Sequence, residues 1–356
     1  MAEQLEKIQL QNELNEIARR HQAWRMGEDG GLDRQEAIEA VANVDISEVT
    51  DMSYLFAYDH DGNDVAGFRF PDRERRGVQY YTLLEGVEGW DVSHVEDMSY
   101  MFADFYNNLV DVDLSRWDVS NVRDMESMFD GATEFNSDLS RWNVGNVWNM
   151  SSMFSEAKKF NSDLNNWNVS NVTQMPVMFS AATRFNGDIS GWDVSRVQDM
   201  SGMFAAAESF NGDISGWDVS SVNRMNSMFE GATSFNGDIS GWDVESVDDV
   251  RNMFTGAERF TGDLSLWVRQ WTDEDGDQRL AFSEADLEGT ALPFEGHFRD
   301  FSRGVQQALR PELRGSRRMP FSRAQRRRIR GDRGRRGVKR KFSDLGGGFL
   351  GSYFLV

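Results

Sequence analysis

Tryptophan recurs at Trp90, Trp117, Trp142, Trp167, Trp192, Trp217, Trp242 and Trp267, with every spacing 25 residues except the first, which is 27. Three further columns keep step with it: Met98, Met125, Met150, Met175, Met200 and Met225; Phe102, Phe129, Phe154, Phe179, Phe204, Phe229 and Phe254; and Phe135, Phe160, Phe185, Phe210, Phe235 and Phe260. The unit reads F-N-x-D-[IL]-S-x-W-[DN]-V-x-x-V-x-x-M-x-x-M-F-x-x-A. A unit this short cannot bury its own aromatic side chains, so neighbours must stack and share one interior. A degenerate half unit, Val44 to Phe56, precedes the array and is separated from it by an irregular insertion at about 57–89.

Within a unit, Asp188-Ile189-Ser190 is flanked by Gly187 and Gly191 and suits a brief strand between turns. Met200, Met203, Phe204 and Ala207 fall at i, i+3, i+4 and i+7, the spacing of one helical face. In one copy Pro176 follows Met175, and proline is tolerated only in the first helical turn. That places the N-cap just before the methionine, where Asp97, Asp124, Asn149 and Asp199 are good capping residues. The expected fold is α/β: a right-handed leucine-rich-repeat-like solenoid with one short parallel strand and one short helix per 25-residue repeat. The expected organisation is an N-terminal helical cap (1–43), the half repeat with its insertion (44–89) and about seven repeats (90–267). A C-terminal cap (268–300) and a basic, largely disordered tail with an apolar end (301–356) complete it. The cap helix is expected to bury a face carrying Leu5, Ile8, Leu14 and Ile17.

The strings Phe210-Asn211-Gly212-Asp213-Ile214-Ser215-Gly216-Trp217-Asp218-Val219-Ser220 and Arg224-Met225-Asn226-Ser227-Met228-Phe229 resemble the repeats of BspA-like leucine-rich-repeat surface proteins, a family noted in mycoplasma lipoproteins. The resemblance covers roughly residues 90–267, with a remnant at 44–56. It implies a leucine-rich-repeat-like solenoid used for protein binding or adhesion, with no catalytic residues. Two features depart from the family pattern: the export signal usual in surface members is missing, and an Arg-rich tail is added.

The Trp, Met and Phe columns are expected to form the core. The Asn column (Asn136, Asn161, Asn186, Asn211 and Asn236) is expected to satisfy buried backbone groups at the turn, as such a column does in leucine-rich-repeat folds, rather than to contact a ligand. The Asp column, comprising Asp138, Asp163, Asp188, Asp213, Asp238 and Asp263, places like charges on neighbouring strands about 5 Å apart, so something must compensate them. Hydrogen bonds from turn amides are one answer; a bound cation or a basic partner is the other.

The segment Asp273 to Glu284 resembles an EF-hand calcium loop. Asp273, Asp275, Asp277 and Glu284 stand at loop positions 1, 3, 5 and 12, with Arg279 at position 7. Gln278 replaces the usual glycine, and a solvated acidic turn is the alternative. Calcium is the one cofactor this suggests.

The net charge of −21 conceals a division. Residues 303–341 hold sixteen Lys/Arg and two Asp/Glu, or +14, which leaves −35 on the rest. Arg317, Arg318, Arg326, Arg327, Arg328, Arg335, Arg336, Lys339, Arg340 and Lys341 suit phosphate or carboxylate recognition. The tail could therefore serve as a nuclear-import signal, a nucleic-acid arm or a dock for an acidic protein surface, against the plainer reading of a solvated run. The expected partners are a protein or a neighbouring copy of the chain, or a polyanion held by the tail.

There is no cysteine, and the four histidines are scattered. No nucleophile–base pair, metal triad or phosphate loop appears in register, so no catalytic residue and no enzymatic activity are expected. No stretch reaches membrane-span length, and the first residues lack the pattern of a secretory leader. A cytoplasmic, nuclear or particle-bound location is favoured over secretion. The expected function is a non-catalytic scaffold for protein–protein interaction, structural or assembly-related and attached through its termini; a nucleic-acid-associated protein is the alternative.

Overall fold

In the computed structural model, residues 2–57, 84–104, 112–264 and 267 are described. Helix α1 spans Ala2–Arg25 and α2 spans Arg34–Ala42, followed by a 3₁₀ helix at Leu84–Gly89. Helix α2 starts at a capping box: the Asp33 carboxylate accepts from the Glu36 N–H, and the Glu36 carboxylate accepts from the Asp33 N–H, both at 2.9 Å. Helix α1 buries Leu10, Leu14 and Ala18, whereas Leu5 and Ile8 are 59% and 49% exposed. Of the expected face, Leu14 is buried and Ile17 packs against the core, so the buried stripe is rotated only in the first turns of the helix. Both helices are tied to the repeats. Lys7 Nζ reaches Asp51 and Ser53 at 2.9 and 2.6 Å, and the Trp90 indole donates to the Val41 carbonyl at 3.0 Å.

From Asp51 onward the coils join in parallel. Single bridges pair Asp51 with Asp97, Asp97 with Asp124, Asp124 with Asn149 and so on to Arg224 with Asp249. The half unit thus sits in register on the first full repeat, with Met52, Tyr54 and Phe56 donating to the carbonyls of Asp97, Ser99 and Met101.

The segment expected to be a helix is built otherwise. Met150, Ser152, Phe154 and Glu156 donate their N–H groups to the carbonyls of Gln174, Pro176, Met178 and Ser180 of the next coil, and the pattern repeats down the array. Two residues four apart in each unit have positive φ, including Ser127 and Gly131, Ser152 and Glu156, Val177 and Ala181, and Ser227 and Gly231. A left-handed residue every fourth position breaks an α-helix, and N–H groups turned along the stack cannot bond back to residue i−4. The described residues between 90 and 264 accordingly contain turns and single bridges, with neither an α-helix nor a strand among them.

The residues expected to be N-caps instead make Asx turns. Asp97, Asp124, Asn149 and Asp199 each accept from the N–H two residues on, at 2.8–3.0 Å. Pro176 fits this scheme as well: in its copy Gln174 cannot close such a turn, and proline has no N–H to satisfy.

The core is a set of aromatic ladders. Trp142 through Trp267 stack at 6.1–6.4 Å, and Phe102 through Phe254 at 5.6–5.8 Å. From Phe129 onward a second phenylalanine lies 3.8–4.2 Å from the first within each coil, as in Phe204–Phe210 and Phe254–Phe260. All are buried, and each aromatic contributes about 2–3 kcal/mol by removal from water.

Candidate binding face

Side chains that point outward fall into columns, because each coil repeats the backbone path of the last. The Asp138 column is exposed throughout, one carboxylate per coil from Asp138 to Asp263. Asp138, Asp163, Asp188, Asp213 and Asp238 each accept from the N–H two residues on, at 2.9–3.0 Å. The hydroxyls of Ser215 and Ser240 add a second bond at 2.7 Å. These serine hydroxyls and amides hold Asp213 and Asp238 below the usual carboxylate range, and the Ser140 amide leads the same effect at Asp138. Turn amides thus supply compensation for the like-charge column. Asp263 ends the column among the described residues.

The Asn column bonds backbone groups as expected, but exposed ones rather than buried ones. Asn136, Asn161, Asn186 and Asn211 each accept from the N–H of the following asparagine at 2.7–2.9 Å, and Asn236 accepts from Thr261. These bonds are exposed, so the column links coils at the surface rather than in the interior.

One column has a different character. Glu96, Arg123, Trp148, Thr173, Gln198, Asn223 and Asp248 occupy the same place on successive coils, and no two are alike. Their backbones form a continuous chain in which Arg123 donates to Glu96, Trp148 to Arg123, Thr173 to Trp148, Gln198 to Thr173, Asn223 to Gln198 and Asp248 to Asn223, at 2.8–3.0 Å. A uniform backbone therefore carries a non-uniform set of side chains. The column was not read as a site from the sequence; its signal is the variation itself, directly after an unvarying Val and two residues before a Met that gives way only at Val250. Arg123 pairs with Glu96 at 3.0 Å, and Trp148 is 46% exposed. Starting one coil later, an open groove of about 630 Å³ is lined by Thr173, Arg196, Gln198, Asn223 and four serines.

Acidic groups also meet on the adjoining turn. Asp130 is pushed up to about 7 by burial, with Asp104 and Glu156 adding repulsion while Ser155 and the Gly131 amide oppose it. Among the described residues no group of three or more His, Asp or Glu side chains is placed to hold a metal ion. Asp273, Asp275, Asp277, Arg279 and Glu284 lie outside the described residues, as do Arg317, Arg318, Arg326, Arg327, Arg328, Arg335, Arg336, Lys339, Arg340 and Lys341. No described helix is long and apolar enough to cross a membrane.

The family described as "Mycoplasma protein of unknown function, DUF285" matches the chain twice, over residues 76–192 and 177–286. No curated protein and no solved structure matches the chain.

Proposed function

The chain belongs to the DUF285 family, and on that premise we propose that it is a non-catalytic repeat scaffold for protein–protein interaction. In this reading it is a structural or assembly component of the BspA-like kind, a right-handed leucine-rich-repeat-like solenoid attached to its surroundings through its termini. The observation that carries the reading is the Asp138 column: six exposed carboxylates, one per coil on a hydrogen-bonded backbone. Rigid, evenly spaced charge of one sign favours fast capture of a basic protein surface and selects against acidic ones. The partner is a basic protein or a neighbouring copy, whose residues 303–341 carry +14.

A photo-reactive residue replacing exposed Asn166, beside this column, tests the reading in the native source. Discrete protein adducts that fade as salt rises are expected. Absence of any protein adduct would sink the scaffold reading. Nuclease-sensitive adducts lost on truncation after residue 302 would favour the alternative, a nucleic-acid-associated protein acting through Arg317, Arg318, Arg326 and their neighbours.

A further inference from the structure

The groove that starts at Thr173, one coil after Trp148, has a chemistry unlike the rest of the surface. On a chain of net charge −21 its lining has no carboxylate. Its one charge is Arg196, whose guanidinium donates to Asn171 Oδ1 at 2.8 Å. Gln198 and Asn223 lie side by side on adjacent coils, both exposed, joined by a backbone bond of 2.9 Å.

The amides in this groove stand apart from those elsewhere on the array. Asn121, Asn146 and Asn171 each donate across to the coil before, and the Asn136 column accepts from the coil after. The side-chain amides of Gln198 and Asn223 make no hydrogen bond among the described residues, and the same is true of the hydroxyls of Ser221 and Ser246. One coil before Thr173, and bonded to it through the backbone, stands the half-exposed indole of Trp148.

We propose that this groove, from Thr173 through Gln198 and Asn223 to Ser246, together with the exposed indole of Trp148 on the coil before it, binds a neutral saccharide chain. A pyranose ring has an apolar face of C–H groups, which packs on an indole, and an equatorial rim of hydroxyls that both donate and accept. An amide offers a donor and an acceptor side by side, the complement of two neighbouring hydroxyls. Two such amides on coils about 4.8 Å apart, the spacing of adjacent parallel backbones, would meet adjoining sugar hydroxyls or successive residues of one chain. The groove lacks the cluster of apolar anchors on which protein partners concentrate their binding energy, and its single guanidinium is too little for a polyanion. The backbone ladder beneath fixes the spacing of these residues, so the main chain requires no ordering on binding.

The test uses the full chain, titrated by calorimetry with the hexaoses of α-1,4-glucose, β-1,4-glucose, β-1,4-mannose, β-1,4-xylose and β-1,4-N-acetylglucosamine. At least one should bind with a Kd on the order of 10 μM to 1 mM, as suits an open, solvated groove. Trp148→Ala should weaken that binding at least tenfold, on the order of one buried contact, and Gln198→Ala with Asn223→Ala should do likewise. Trp24→Ala, which alters a half-exposed tryptophan on α1, should leave it unchanged. All four substitutions are at exposed side chains and should leave the thermal melt in place. No heat with any of the five at about 10 mM, or binding that survives Trp148→Ala, overturns the proposal. It stands apart from the scaffold reading, since adducts from Asn166 neither require nor exclude sugar in the groove.

Discussion

The indole N–H of Trp192 donates to the carbonyl of Leu164, 28 residues earlier, at 2.9 Å in the buried interior. The same staple recurs from Trp142 to Leu114 through Trp267 to Ile239, so each tryptophan fills its own coil and bonds to the one before. Trp192→Ala should cost roughly 3–5 kcal/mol, since a buried aromatic is lost from a stack shared by three coils. Trp192→Phe keeps most of the packing and removes only the indole bond, because the Leu164 carbonyl still accepts from the Trp167 N–H at 2.9 Å, so the loss is about 0.5–1.5 kcal/mol. Denaturant melts of the two variants separate packing from hydrogen bonding; an unchanged midpoint for the alanine variant would contradict the core assignment.

The period and the aromatic core were legible in the columns because burial demands the same residue type at the same place in every coil. The backbone path was not. Met200, Met203, Phe204 and Ala207 point inward whether the chain makes a helix or a turn with left-handed residues at Gly202 and Ala206, so apolar spacing alone does not separate the two. The missed signal is compositional. The left-handed positions carry Gly202 and Asn252 in one column and Gly131, Gly231 and Gly256 in the other, residues that tolerate positive φ, but Tyr100, Val177, Glu156 and Ala181 in the same columns obscure the pattern. An aspartate that caps a helix and one that closes an Asx turn bond the same kind of N–H, so Asp124 and Asp199 suited either. Trp148 escaped notice because it falls outside the regular tryptophan column, and a search for repetition passes over what does not repeat.

Asp130 gives the array a pH dependence near neutrality. Burial, with Asp104 and Glu156 on the neighbouring coils, raises it to about 7 in the folded chain, against 3.8 as the ordinary value. The folded state therefore holds a proton that the unfolded state releases, and stability declines as pH rises from about 4 to about 7. Asp213 and Asp238 act in the opposite sense: their lowered pKa makes a contribution present above the ordinary carboxylate range and lost only as pH falls below it. Asp130→Asn should raise stability at pH 8 by roughly 1–2 kcal/mol, allowing for partial solvent screening, and leave it unaltered at pH 4. Thermal melts across this range check the difference; an equal effect at both pH values would remove Asp130 as the titrating group.

The loop from Asp273 to Glu284 leads to a metal-removal test. The second family match runs to residue 286 and so spans this loop. If Asp273, Asp275, Asp277 and Glu284 bind calcium, with Arg279 contributing its backbone carbonyl, the ion stabilises the fold by mass action. At a hundredfold excess over Kd the gain is about 2.7 kcal/mol, and chelation should reverse it. Glu284→Gln should abolish most of the rise, because the twelfth position supplies two of the oxygens. A melting temperature indifferent to millimolar calcium would leave the segment as a solvated acidic turn.

Gly231 and Ala181 occupy the same column, both left-handed, at φ +68 and +53. A Cβ built on Gly231 would meet nothing nearer than the Ala206 Cα at 3.6 Å, which is ordinary contact. Steric fit therefore does not oppose Gly231→Ala; only the backbone conformation does. A non-glycine residue in the left-handed region costs about 1–2 kcal/mol, partly offset by the lower chain entropy of alanine when unfolded. Gly231→Ala should destabilise by about 1 kcal/mol, and Ala181→Gly should stabilise by about 0.5–1 kcal/mol because the strain it relieves exceeds the entropy it adds. The Ala181 N–H donates to the Ala205 carbonyl at 2.7 Å, and either side chain leaves that bond intact. Chemical denaturation of the two single variants decides the matter. Opposite signs place the left-handed turns under conformational strain, whereas destabilisation by both would mean that the methyl of Ala181 contributes more through packing than it costs in φ.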